Sequence, residues 1–288
     1  MESTHRQLWS RRSHERAVED FYGTGVENYE DFHNGYLNFG LWEPGIRDYN
    51  QAAENLVHRM GTLLGLDQES TLLAVGCGMG TQDIYLAENF APARIDALDV
   101  TWKHVQHGTR RAHDAHLDDR VRFHHGTATE MPFDDQSYTH LLSIEAPEHF
   151  DTREKFLSEA KRVLKPRGVI AMADYTLKRQ PRSAADHFIV EAARRLWKVP
   201  LANIETSKSY EMKMHAAGFE NVSIEEVGAL TIPGYYFEQG RPEIVRQIMQ
   251  IRGFIAGTLG RLIDVAVYKA FTSGLLEYVL VRAESSPS

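Results

Sequence analysis

Apolar and polar positions along the chain change period in a regular order. Apolar segments near 71–76, 94–99, 120–125, 138–144 and 168–174 predict strands. Helical periodicity over 80–90, 102–115 and 152–164 separates most of them, so the middle of the chain alternates strand and helix. Such alternation demands a parallel sheet covered on both faces. A helix ending in Ala216-Ala-Gly-Phe219 and a strand at about 221–227 follow, and Leu275-Leu-Glu-Tyr-Val-Leu-Val-Arg282 predicts the last strand. Two long stretches interrupt this order, near 177–207 and 229–273, and both carry helical patterns, over 184–197 and 243–252. Long inserts at the ligand-bearing end of an α/β sheet are expected to form lids or substrate walls, or else an extra packing layer. Residues 1 to about 22 predict a helix ending near Gly23-Thr-Gly25, whose apolar positions Leu8, Trp9, Val18, Phe21 and Tyr22 are sparse. Such a helix is expected to need a partner surface, its own core or a neighbouring subunit of a homo-oligomer.

The first of these strands runs straight into glycines: Leu72-Leu-Ala-Val-Gly-Cys-Gly-Met-Gly80. A strand that turns at once into a helix, with its backbone against a ligand, has room only for glycine at the contact points. Gly76, Gly78 and Gly80 meet that need. The dinucleotide fingerprint requires a third glycine at 81, where this chain has Thr81, so the spacing weakens a nicotinamide reading. The second strand, Arg94-Ile-Asp-Ala-Leu-Asp-Val100, ends in Asp99, about 20 residues past the glycines, where a ribose diol is usually gripped. A helix N-cap is the bland reading of the same residue.

In their order these segments resemble the class I S-adenosylmethionine-dependent methyltransferases, and most of all the small-molecule branch that includes ubiquinone, tocopherol and sterol C-methyltransferases. The likeness covers roughly residues 28 to 283. It extends through Val121-Arg-Phe-His-His-Gly-Thr-Ala-Thr-Glu-Met-Pro-Phe133, His140-Leu-Leu-Ser-Ile-Glu-Ala-Pro-Glu-His-Phe150 and Phe156-Leu-Ser-Glu-Ala-Lys-Arg-Val-Leu-Lys-Pro-Arg-Gly168. It implies a Rossmann-like α/β fold: a seven-stranded methyltransferase sheet with helices on both faces, an antiparallel last strand at the edge, a helical N-terminal lid and helical insertions. One catalytic domain over 46–288 is expected, preceded by an N-terminal helix and aromatic lid over 1–45.

The resemblance also implies the site. S-adenosylmethionine is the expected cofactor, cradled by Gly76, Gly78 and Gly80, with Asp99 on the ribose and Val100 against the adenine. Family members generally carry an acid where this chain has Ala74, and commonly Asp where it has Thr127, so cofactor affinity is the open question. The Thr127 hydroxyl and the Ala128 backbone remain available to the adenine. The aromatic-rich stretch Tyr29-Glu-Asp-Phe-His-Asn-Gly-Tyr-Leu-Asn-Phe-Gly-Leu-Trp42 is similar to the lid of C-methylating members. It implies Asn38 and Tyr29 at the cofactor's amino-acid end, and Tyr22, Phe32, Tyr36, Phe39 and Trp42 toward a hydrophobic acceptor. Aromatic faces tolerate greasy ligands and stabilise positive charge, which suits an alkene nucleophile that becomes a carbocation on methylation. Glu145, His149 and Tyr22 are the candidate catalytic residues, with Asp174 at the end of strand five on the substrate side and His33 and Tyr175 as lesser candidates. A nearer likeness is to bacterial secondary-metabolite enzymes that C-methylate a prenyl chain and couple alkylation to ring closure. O- or N-methylation of a phenol or amine shares the same cradle, and a catalytically silent relative is the alternative from another class.

Composition narrows the partners. A 288-residue chain with 42% hydrophobic residues can bury a large core, and a net charge of -8 argues against general affinity for nucleic acid or anionic membrane. Arg6, Arg11, Arg12 and Arg16 cluster, but Glu15, Glu19 and Asp20 dilute them into a solvated face. The single cysteine, Cys77, excludes an internal disulfide and suits a reducing cytoplasm. The fourteen histidines include no metal-binding motif, and adjacent His124 and His125 point oppositely on a strand, so no metal is expected. With no apolar run of signal-peptide or membrane-span length, the expected location is cytoplasmic.

Overall fold

The computed structural model describes residues 13–23 and 33–287. Its elements are α1 (Ser13–Gly23), α2 (Tyr49–Leu64), β1 (Thr71–Val75), α3 (Thr81–Asn89), β2 (Arg94–Asp99), α4 (Trp102–Asp114), β3 (Val121–His125), β4 (Tyr138–Ile144), α5 (Arg153–Val163) and β5 (Leu164–Leu177). After these come α6 (Ala184–Leu196), α7 (Ser207–Ala216), β6 (Phe219–Glu226), α8 (Gly228–Gln239), α9 (Pro242–Arg252), α10 (Phe254–Thr272) and β7 (Leu276–Ser285). The strands form one seven-stranded sheet in the order β3-β2-β1-β4-β5-β7-β6. The first five pair in parallel, and β7 runs antiparallel between β5 and β6. This is the Rossmann-like methyltransferase sheet.

Alternation along the strands sends their side chains to two cores. Leu72, Leu142, Ala171, Ala173 and Leu280 join one cluster with α2 and α3. Leu73, Val75, Leu141, Ile170, Met172 and Val281 join another with Phe156, Leu157 and Ala160 of α5 and with Tyr210 and Met214 of α7. Covering both faces in this way is what a parallel sheet requires.

Two expectations change. The last strand is not the edge: β7 is buried along most of its length between two neighbours, whereas the edge strand β6 reads Phe-Glu-Asn-Val-Ser-Ile-Glu-Glu, largely exposed and acidic. Charge on an edge strand blocks pairing with other chains, so the acidic strand belongs outside and the apolar one inside. A helix beyond those expected, α2, precedes β1; the Asp48 side chain caps it by accepting from the Gln51 amide, and Gly65 ends it in a left-handed conformation. Its apolar positions Ala52, Ala53, Leu56, Val57, Met60 and Leu64 are all buried. The inserts near 177–207 and 229–273 are helical as expected, holding α6 and α8 to α10. Only the second half of the expected N-terminal helix, α1, falls within the described residues, and Tyr29 and Phe32 lie outside them. No described helix is long and apolar enough to cross a membrane.

Candidate active site

The carboxyl ends of β1, β2 and β4 open onto a crevice of about 920 Å³, part of it open to solvent, floored by Gly76, Cys77 and Gly78. Gly76 adopts φ +71°, and a β-carbon there would stand 2.3 Å from the Ala146 methyl, so both backbone conformation and close approach demand glycine. Gly80 serves differently. It does not line the crevice; its φ is +81°, and a β-carbon would strike Phe123 at 2.6 Å and Gly108 at 2.7 Å, which makes it the contact that lets α3 settle against β3 and α4.

Asp99 lines the crevice with its carboxylate already braced. Oδ2 accepts from the Gly78 amide at 2.8 Å, and Oδ1 accepts from the Thr101 amide at 2.8 Å and lies 3.2 Å from His104 Nδ1. Burial alone would push this carboxyl up, yet His104 and the two amides hold it below the ordinary carboxylate range. A carboxylate offers about four acceptor sites, so one remains for a ribose hydroxyl without displacing a partner. Val100, Thr127 and Ala128 line the same space. The Thr127 hydroxyl is 3.1 Å from that of Thr129 and accepts from the Thr129 amide, so it is already partnered locally. Ala74 packs with Cys77 and Ala97 in a small apolar cluster. Cys77 is buried, and burial raises its thiol well above its usual range, which makes it an inert filler.

A second chamber adjoins the crevice, and Tyr22, Leu37, Asn38, Glu145 and His149 line both. Rings make its walls. Phe39 stacks on Tyr235 with centroids 4.1 Å apart and meets Tyr175 edge-on at 5.5 Å, while Trp197 closes the far side. Trp197 follows α6 and Tyr235 belongs to α8, so each insertion supplies a ring to the lining of this chamber.

Glu145 ties the lid to the sheet. Its Oε1 accepts from the Phe39 amide at 2.7 Å and the Tyr278 hydroxyl at 2.8 Å, and Oε2 accepts from the Tyr175 hydroxyl at 3.1 Å. Its backbone sits at φ +49°, a strained conformation for a side-chain-bearing residue, held by an amide hydrogen bond to Ala173 O. Burial pushes the carboxyl up to about 7, against the pull of those three donors. His149 stands on a short 3-10 turn after β4, with Nε2 2.7 Å from the Tyr22 hydroxyl. His14 Nε2 lies 2.8 Å from the His149 carbonyl, so α1 grips this turn twice. Burial lowers the His149 imidazole to about 4, and it is neutral at physiological pH.

Other expected residues are placed elsewhere. Tyr36 is buried on the crevice side, and Asn38 lines both spaces while its Oδ1 accepts from the Gly40 amide. Trp42 lines neither space: its indole donates to Phe39 O and its ring lies over Gly234 of α8. Asp174 lines neither. It is fully buried, paired with Arg153 through two bonds of 2.9 Å, and accepts from the Tyr210 hydroxyl at 3.0 Å and the Tyr175 amide at 2.7 Å. It is an internal ion pair that braces β5, consistent with the rule that buried charge must be matched. His33 lies against the Tyr49 ring and within 3.2 Å of Gln239 in the chamber. His104, Glu148, Trp197, Tyr235 and Tyr278 were not singled out from the sequence; only their position in the insertions could have drawn attention to Trp197 and Tyr235. His124 and His125 do point apart, toward Asp96 and Val100 O. Among the described residues no group of three His, Cys, Asp or Glu side chains is arranged to hold a metal ion.

Sheet order, the glycine cradle and a braced acid at the end of β2 together define a class I methyltransferase. A family model described as "Methyltransferase domain" matches residues 73–172. The erythromycin 3''-O-methyltransferase of Saccharopolyspora erythraea is 31% identical over 196 residues, 67% of this chain and 64% of that protein's length. The 27-O-demethylrifamycin SV methyltransferase of Amycolatopsis mediterranei is 29% identical over 260 residues, 88% of this chain and 89% of the relative. The geranyl diphosphate C-methyltransferase of Streptomyces coelicolor A3(2) shares the fold, with a TM-score of 0.74 at 18% identity and coverage of 95% and 98%. The chain belongs to the S-adenosylmethionine-dependent methyltransferases. Gly76, Gly78, Asp99, Val100, Thr127 and Ala128 fit its cofactor: the cradle that a β-carbon would fill and the braced, ionised acid are both in place.

Proposed function

We propose that this enzyme methylates a carbon of an alkene in a prenylated or terpenoid acceptor held in the ring-lined chamber. S-adenosylmethionine, when bound, supplies a methyl carbon activated by its sulfonium, so the protein's own task is alignment, exclusion of water and handling of one proton. An alkene that gains a methyl group becomes a carbocation. The faces of Phe39, Tyr175 and Tyr235 and the partly ionised Glu145 offer it negative potential.

The observation that carries this reading is the Tyr22–His149 pair at the junction of crevice and chamber, with the imidazole held neutral at a depressed pKa. The cation's proton leaves for the Tyr22 oxygen as the Tyr22 proton passes across 2.7 Å to His149 Nε2, and the C–H electrons close a new double bond. A base titrating at about 4 is weak, yet it suffices for an acid as strong as a carbocation. An alcohol hydroxyl asks for a stronger base. Where the cation meets a second double bond before the proton departs, ring closure follows from the same chamber.

The two O-methyltransferase relatives favour a second reading, transfer to a hydroxyl oxygen of a macrocyclic natural product. Carbon-13-labelled S-adenosylmethionine separates the two. Incubation with prenylated indole and terpenoid acceptors is expected to give a product whose labelled methyl resonates as carbon-bound. A methoxy signal, or turnover of macrolide hydroxyls alone, refutes the alkene assignment.

A further inference from the structure

Behind the chamber lies a third space that the chemistry above does not use. It is a groove between α6 and α10, almost wholly apolar, walled by Ile189, Ala193 and Leu196 on one side and Leu259, Leu262 and Ala266 on the other. Glu148, Tyr175, Trp197 and Ile263 line both groove and chamber, so the two spaces share one partition.

Two independent features say that something fills it. The first is α6 itself. Ser183 caps the helix by accepting from the Asp186 amide and Asp186 pairs with Arg179, so its start is well specified, yet none of its residues is buried. Phe188 is 74% exposed and Leu262 of the facing helix 61%. A short helix gains most of its stability by burying an apolar stripe, and this one lays its stripe along an open groove rather than onto the core. The second is Glu148. It is 6% exposed, and its Oε2 has no hydrogen-bond partner, while Oε1 lies 3.8 Å from His149 Nε2. The turn that carries it is fixed, because Asn203 Nδ2 donates to the carbonyls of Glu148 and Phe150. A buried carboxyl oxygen without a partner is costly unless a ligand supplies one.

We propose that this groove is a second acceptor compartment that takes a linear hydrocarbon arm of about isoprenoid width, and that Glu148 at its threshold hydrogen-bonds a hydroxyl on the same molecule. This deepens the methyl-transfer reading and rests on it for the word acceptor, but the groove and its ligand chemistry stand on their own geometry. Burial, with Asp174 and Glu145 nearby, holds the Glu148 carboxyl well above its usual range. That environment favours the uncharged acid, which can both give and accept one hydrogen bond and so matches an alcohol better than an ammonium group.

The test titrates the protein, loaded with S-adenosylhomocysteine, with three probes: the C15 alcohol farnesol, the C10 alcohol geraniol and the hydrocarbon farnesene, followed by calorimetry. Farnesol is expected to bind at least tenfold more tightly than geraniol. Ala266→Phe, which fills the groove from α10, is expected to erase that margin, and Ala193→Phe on α6 to do the same from the opposite wall. Glu148→Leu is expected to weaken farnesol at least fivefold and leave farnesene unchanged. The S-adenosylhomocysteine affinity of each variant reports its fold. A farnesol margin that survives both plugs, or a Glu148→Leu variant that binds farnesol as the parent does, overturns the proposal. Loss of S-adenosylhomocysteine binding by the parent protein would instead refute the methyl-transfer reading, and the farnesol margin in the unloaded protein would still decide the groove.

Discussion

Asp99 ends β2 and Glu145 directly follows β4, at the same edge of the sheet, and the protein treats them in opposite ways. Asp99 receives two backbone amides and His104 and stays ionised, below the usual carboxylate range. Glu145 receives one amide and two tyrosine hydroxyls, and burial wins, leaving it at about 7. Backbone donors are positioned by the fold itself, whereas the tyrosines on Glu145 come from β5 and β7 and its amide from the lid. The crevice side is therefore a fixed receptor for one ligand. The chamber side is a tunable environment whose charge depends on what closes over it.

Asp174 supplies a third case, a carboxylate matched by a cation, and it sets the upper limit of what substitution does here. Arg153→Ala strands that carboxylate in the core and is expected to cost about 3–5 kcal/mol of stability, read by urea unfolding. The same measurement on Glu145→Gln should show a loss well under half as large. If the two losses are equal, Glu145 is as structural as Asp174 and the contrast fails. Next in size, Asp99→Asn is expected to weaken S-adenosylhomocysteine about 100-fold by calorimetry, roughly 2.7 kcal/mol, while Glu145→Gln leaves that affinity within a few fold.

pH sharpens the comparison further. If the ionised form of Glu145 steadies the cation, kcat rises with pH through about 7 to a plateau. In Glu145→Gln that limb disappears, and the remaining fall in rate moves down to about 4, where His149 takes up a proton. An unchanged limb near 7 in the variant assigns it to another group. Stability follows the opposite sense. A raised Glu145 pKa means that the folded chain holds a proton the unfolded chain releases, so this residue's contribution is full below about 4.5 and declines as pH rises through about 7. The smallest effect belongs to Tyr22→Phe, expected to lower kcat about tenfold with KM little changed; a loss confined to KM would make Tyr22 a wall and not a relay.

How much of this was legible in the sequence follows the same divide. The glycine cradle and Asp99 are local in sequence, because one strand, one turn and the next strand build them, and their chemistry can be read in order. The chamber is assembled from segments far apart. Nothing near Tyr278 announces that its hydroxyl meets Glu145, and Glu148 is only one carboxylate among 40 acidic residues until folding buries it. Asp174 was misjudged for the complementary reason: its place at a strand end is legible, but the Arg153 that consumes it lies across the sheet edge on α5. The α2 helix was legible and passed over, since Asp48 and Gly65 bracket a clean i, i+3, i+4 pattern.

The placing of β7 between β5 and β6 has a consequence for synthesis. The edge strand β6 leaves the ribosome before the three helices of residues 228–272, and the neighbour that completes its ladder comes only after them. Throughout that interval β5 also shows an unpaired margin, because its partner on that side is the same late strand. A nascent chain of this topology must keep two open ladders apart while it waits, and the acidic residues of β6 are placed to discourage them from zipping together or onto another chain.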